Sequence, residues 1–288
     1  MENFSETNKL FQRTFSLVKY NMVLTIPFLL FWLILGFVLL PLNSGGAGQG
    51  IFFTLILLAG IIAAFLAGWM NMFKRCVETS VDENESEDKR TTDSFWLFRE
   101  FFPGVGKYFG KMILGILIYF FLFNIMMLIV EMAIIPLFGS FESFSQQEMV
   151  KSLEDTDKTA QFWKSISSAD KTRLFQIAGI EVLFTLLFFY LTMFWAQLVV
   201  LKELYPIKAI VESVKAAIKQ PVETGTIFLL NFTLVLIVFF IGAILIANPL
   251  VKLIMILLFV YALVFYVMAT FLYLEKEGET HTVIKTEQ

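Results

Sequence analysis

No charged side chain occurs between Lys19 and Lys74, and apolar residues dominate that whole interval. A helix crosses a hydrocarbon layer of ~30 Å with about 20 residues, so the interval is long enough for two crossings. The segment "PLNSGGAGQG" (41–50) divides it with Pro, Asn and Gly residues that suit a turn and not a helix interior. The pattern predicts a hairpin of spans Met22–Leu40 and Ile51–Phe73. The same test predicts four more: Met112–Phe138, apolar except for Glu131; Ile177–Leu201, apolar except for Glu181; Thr226–Ala247; and Val251–Leu274. Only "NPL" separates the last two, with Lys252 beside the turn. The lead before the first run is long and polar and "PLNSGG" makes a poor cleavage site, so that run is expected to be a retained span, not a signal peptide.

Ahead of each odd-numbered span lies a shorter segment with apolar residues at helical spacing. In "PIKAIVESVKAAIKQP" one face holds Ile207, Ile210, Val211, Val214 and Ile218, and the other holds Lys208, Glu212, Lys215 and Lys219. Pro206 suits a first helical turn and Pro221 follows the end. Near the N-terminus Phe4, Phe11, Phe15 and Val18 form a similar stripe, with Lys9 and Arg13 off it. Between them, "FWLFREFFPGVGKYFGK" has the aromatic content of a headgroup-layer segment, although its glycines and Pro103 weaken the helix. Lys19, Lys107, Lys208, Lys215 and Lys219 are the expected contacts to lipid headgroups. The fold predicted is all-α, a single polytopic membrane domain of six transmembrane helices built as three interfacial-helix-plus-hairpin units. Between the spans lie a polar linker (79–94), a segment of helical character (139–176) whose helix start at Ser168 leads into span four, and a polar tail (275–288).

This arrangement resembles a broad group of bacterial six-span proteins that includes the membrane domain attached to some glycerophosphodiester phosphodiesterases. "PIKAIVESVKAAIKQPVETGTIFLL" before span five carries most of the similarity and "FFPGVGKYFGKMILGILI" before span three a weaker part. The resemblance implies a fold and a location. It implies no phosphodiesterase activity, since the paired histidines and metal-binding carboxylates of that catalytic domain have no counterpart here.

Composition agrees with the spans. Hydrophobic residues make up 58% of the chain, 34 residues are Phe, and the mean hydropathy is +0.75. A water-soluble domain of this length could not hide so much apolar surface. The net charge of −3 and the lack of a basic, aromatic-rich run give no reason to expect nucleic acid. Of the 22 Lys and Arg residues, 16 fall on the side of the N-terminus, which predicts that both termini are cytoplasmic in a multi-pass cell (inner or plasma) membrane protein. One Cys and one His are too few for a disulfide or for the usual zinc ligand set. His281 lies in the polar tail, so no catalytic residue, cofactor or metal is predicted.

Charge inside a span is expensive and is by default a functional candidate. Glu131 and Glu181 are such residues, near the outer ends of adjacent antiparallel spans. They are expected to reach the outer interface, the alternative being a proton- or cation-linked site shared between them or with Lys171 or Arg173. Asn124, Gln197 and Asn231 lie deeper and are expected to bond neighbouring helices. Gly60, Ala64 and Gly68 repeat every four residues, a packing face for another span or for a second copy of the chain. Pro27 is expected to kink span one, and Cys76 is a juxtamembrane thiol. The expected function is that of a non-enzymatic scaffold, assembly or accessory subunit contacting lipids and a protein partner or homodimer mate. The alternative is a transporter or permease component using Glu131 and Glu181. A lipid-modifying enzyme ranks third, because no catalytic constellation stands out.

Overall fold

A computed structural model describes residues 2–39, 49–79, 95–138, 156–244 and 249–286, together with Glu148 and Ser152. Among the described residues the secondary structure is helical. The helices are α1 (Glu2–Tyr20), α2 (Ile26–Leu39), α3 (Gln49–Thr79), α4 (Trp96–Arg99), α5 (Phe101–Phe138) and α6 (Thr156–Ser165). They continue as α7 (Ser168–Thr192), α8 (Trp195–Leu201), α9 (Pro206–Lys219), α10 (Pro221–Ile244) and α11 (Pro249–Thr286). Six stretches are long and apolar enough to span a bilayer: Met22–Leu39, Thr54–Thr79, Trp96–Ile134, Ser168–Leu201, Pro221–Ile241 and Ile254–Lys276. The chain is thus a multi-pass helical membrane protein. Most of the predicted 41–50 turn and of the 79–94 linker lie outside the described residues, and Gln49 and Gly50 already belong to α3.

Two proline positions explain where helices begin. A 3-10 turn, Met22–Thr25, separates α1 from α2, and Pro27 is the second residue of α2. The interruption therefore lies in the first residues of the span, ahead of the proline, which sits in a first turn where no N–H partner is needed. Pro103 likewise sits in the first turn of α5. That helix runs on from Phe101 through Gly104, which is buried because a side chain there would collide with Asn71 and the Ala67 carbonyl. Glycine here permits close helix contact, and Asn71 Nδ2 donates to Glu100 O (2.9 Å) beside it.

The chain packs as two compact units, Met1–Ile118 with Leu191–Gln288, and Tyr119–Tyr190. In the first, an aromatic ladder runs through Phe28, Phe65, Trp69, Phe73 and Phe271, with successive centroids 5.9, 5.0, 5.1 and 5.8 Å apart. Trp69 Nε1 donates to Leu24 O (2.7 Å), fixing α3 against the 3-10 turn. Helix α1 lies along α11, with Phe11 stacked on Phe265 (6.1 Å) and Arg13 paired with Glu275 (3.6 Å). Its buried positions are Thr14 and Val18, whereas Phe15 faces outward. The side chain of Phe4 is outside the described residues.

In the second unit, Tyr119 and Phe123 of α5 interleave with Phe188 of α7, with centroids 4.9 and 5.5 Å apart. Trp163 of α6 stacks on Phe175 of α7 (5.9 Å). Ser167 caps α7, accepting from the Asp170 N–H (3.1 Å), which satisfies one of the donors a helix start leaves open.

Gly104→Ala is expected to lower the melting temperature of the detergent-solubilised protein. Overpacking of this kind costs about 1–3 kcal/mol. Gly60→Ala, where a Cβ meets nothing within 4 Å, should leave it nearly unchanged.

Candidate functional site

Span four is not one continuous helix. α7 stops at Thr192, Met193 and Phe194 form a turn, and α8 restarts at Trp195. Such a break removes backbone groups from the i→i−4 ladder, and hydrocarbon offers them no replacement partner. Ser213 of α9 supplies one. Its hydroxyl accepts from Phe194 N–H (3.1 Å) and donates to Leu191 O (3.0 Å). Gln197 supplies another, with its amide nitrogen 3.2 Å from both Met193 O and Phe194 O and its oxygen accepting from Thr270 Oγ1 (3.0 Å). This amide orientation leaves neither end facing a like group. Ser213, Gln197 and Thr270 are all buried, so the clasp joins α8, α9 and α11 inside the unit.

The fold of α9 follows from its sequence. Tyr205 is extended (φ −70°, ψ 148°), as a residue before proline prefers, and Pro206 opens the helix. Ala209, Ser213, Ala216 and Ala217 form its buried face, small enough to bring the serine hydroxyl up to the break. The large aliphatic residues divide between inside and outside. Ile210 is buried, but Ile207 (64% exposed) and Ile218 (66%) face away from the protein, flanked by Tyr205 (73%) and Val222. Lys208, Lys215 and Lys219 are also exposed, Lys215 pairing with Glu212 (2.8 Å).

Just before α9, Glu203 has a positive φ of 52°, a left-handed conformation that is unfavourable for a residue with a Cβ. It is held by basic groups from two helices. Its Oε1 accepts from Lys107 Nζ (2.5 Å) and Tyr108 OH (3.3 Å), and Lys74 Nζ lies 3.6 Å away. Lys111 Nζ donates to the Glu203 backbone carbonyl (2.7 Å), and Lys74 Nζ also donates to Val200 O (3.3 Å). The hydrogen bond from Lys107, together with its charge, holds the Glu203 carboxyl below the usual carboxylate range.

The other predicted residues share no hydrogen bond or ion pair among the described residues. Glu131 is exposed on α5 and Glu181 is half-buried on α7. Neither has an ion pair or side-chain hydrogen bond among the described residues, while Arg173 pairs with Asp170 (3.5 Å). Asn124 is exposed and donates to Phe120 O of its own helix (2.7 Å). The buried Oδ1 of Asn231 has no hydrogen-bond partner among the described residues and sits near Phe11, Leu234 and Phe265. Gly68 lies under the Phe101 ring, Ala64 borders an apolar cleft and Gly60 faces open space. Lys19 sits over the Tyr20 ring, 5.4 Å from its centroid. Cys76 is buried (2% exposed). Among the described residues, no group of three His, Cys, Asp or Glu side chains comes together as metal ligands would.

Sequence reasoning missed Ser213, Thr270 and Glu203. A serine among alanines and a threonine in an apolar run carry no signal of their own, because their partners are 19 and 73 residues away in the chain. The spacing of Lys107 and Lys111, one helical turn apart, was a visible hint of a shared partner. Compared with models of known families, with curated proteins and with solved structures, the chain matches none.

Ser213→Ala leaves the Phe194 N–H and the Leu191 carbonyl without this partner in a buried site. An unfolding titration should register a loss of about 1–3 kcal/mol. Because the Glu203 carboxyl is depressed in the folded state, its contribution is present above the ordinary carboxylate range and is lost as pH falls through the folded value. On acidification from about pH 5 to about pH 3 the wild-type melting temperature should therefore drop further than that of Glu203→Gln.

Proposed function

We propose that the chain is a non-enzymatic scaffold, assembly or accessory subunit of the cell membrane, working through protein and lipid contacts. In this reading both termini are cytoplasmic, and the architecture is three units, each an interfacial segment followed by a helical hairpin. Helices α1 and α9, which precede spans one and five, support that plan.

The observation that carries the reading is the two-sided α9. Its small-residue face is fastened to the break in span four, and its Ile207 and Ile218 side chains are largely exposed among the described residues. A helix anchored on one side with an aliphatic stripe and lysines on the other is suited to contact at the membrane surface. Gln197, a candidate for lining a solute path, has its amide engaged with backbone carbonyls and Thr270. That engagement supports packing over transport.

In a strain lacking the native gene, Glu131→Gln combined with Glu181→Gln should restore the wild-type phenotype fully. Ile207→Asp combined with Ile218→Asp should fail to restore it while still reaching the membrane in normal amounts. The opposite outcome would assign the chain to transport.

A further inference from the structure

Apart from the clasp and the Glu203 cluster, the first unit carries an apolar cleft of about 340 Å³. Phe31 and Ile34 of α2, Ala64 and Phe65 of α3, and Phe101 and Phe102 of α5 form its walls. Two walls belong to spans one and two, so the medium around the cleft is hydrocarbon. The third begins in the aromatic headgroup-layer segment. A cleft spanning those two layers has the polarity profile of a phospholipid, with a chain inside and a headgroup at the border.

The walls are held apart by contacts among themselves. Phe31 stacks on Phe65 (4.3 Å), Phe65 stacks on Trp69 (5.0 Å), and the Trp69 hydrogen bond to Leu24 O ties α3 to the start of α2. Opposite them, Phe98 stacks on Phe101 (6.4 Å) and Phe101 meets Phe102 edge-on (5.6 Å), with the Phe101 ring resting on Gly68. A preformed concave wall loses less on ordering than a flexible one, and this volume is at the small end of the ~300–1,000 Å³ typical of ligand sites.

Arg99 adjoins Phe98, is exposed and has no ion pair among the described residues. The neighbouring carboxylate of Glu100 is already engaged by Arg75 (3.5 Å). We propose that this cleft holds one acyl chain of an anionic phospholipid, with Arg99 meeting its phosphate. The inference rests on the membrane-spanning, lipid-contacting part of the proposed function and adds a defined lipid site to it.

The test uses full-length protein in phosphatidylcholine nanodiscs containing a minor fraction of phosphatidylglycerol with a diazirine on one acyl chain. After photolysis, mass spectrometry maps the labelled residues. Labelling should concentrate on Phe31, Ile34, Ala64, Phe65, Phe101 and Phe102, above the outward-facing Leu33 and Phe37. Arg99→Gln should reduce cleft labelling about fivefold, the effect of one basic side chain at a membrane surface. The same diazirine chain on phosphatidylcholine should be much less affected. Ala64→Trp should abolish cleft labelling, and Ile34→Trp, which enters from the open side, repeats the test if the first variant does not fold. Labelling spread over all outward-facing side chains in proportion to their exposure, or unchanged by either tryptophan, would overturn the lipid site alone. No labelling of any helix would overturn the lipid-contact reading as well.

Discussion

Hydrocarbon cannot hydrogen-bond to a peptide group, so any backbone that leaves the helical ladder within a bilayer must be satisfied by the protein itself. The first unit is organised around one such place. Span four breaks at Met193 and Phe194, and the groups that meet its freed backbone come from α8 itself and from α9. Thr270 of α11 then secures the glutamine that does part of this work. Three helices are thereby registered to one turn, which also explains why α9 presents alanines and a serine inward and its long aliphatic side chains outward.

A second fixed point lies one segment further on. Glu203 in a left-handed conformation is tolerated because Lys74 and Lys107 converge on its carboxylate and Lys111 on its carbonyl. The cluster holds the short connection from α8 to α9, and the clasp ties the start of α8 to the middle of α9. The orientation of α9 is thus set by polar contacts as much as by packing, and the helix can keep an uncovered aliphatic side without swinging to bury it.

The helices were legible in the sequence because length and hydropathy are local properties. The stretch without charge from Tyr20 to Phe73 and the four later runs needed no tertiary information. The lysine-bearing segment before span five was equally plain, although which aliphatics face the protein was not. Periodicity alone grouped Ile207, Ile210, Val211, Val214 and Ile218, and the structure separates Ile210 from the others because the small residues on its side permit the closer approach. The break in span four was hidden, since "YLTMFWAQLV" contains neither Gly nor Pro. Of the polar candidates, Gln197 was visible as an amide in an apolar run, but that its partners are backbone carbonyls could not be read from composition. Glu131 and Glu181 stood out by charge, yet neither has an ion pair or side-chain hydrogen bond among the described residues.

The clasp also bears on how the chain is made. Gln197 and Thr270 are 73 residues apart, and span six is synthesised two spans after span four. As span four leaves the ribosome, its unwound turn has not yet met the serine that follows it, nor the threonine that arrives much later. Insertion of span four is therefore provisional, kept near water or the insertion machinery until span six brings Thr270 into the bilayer.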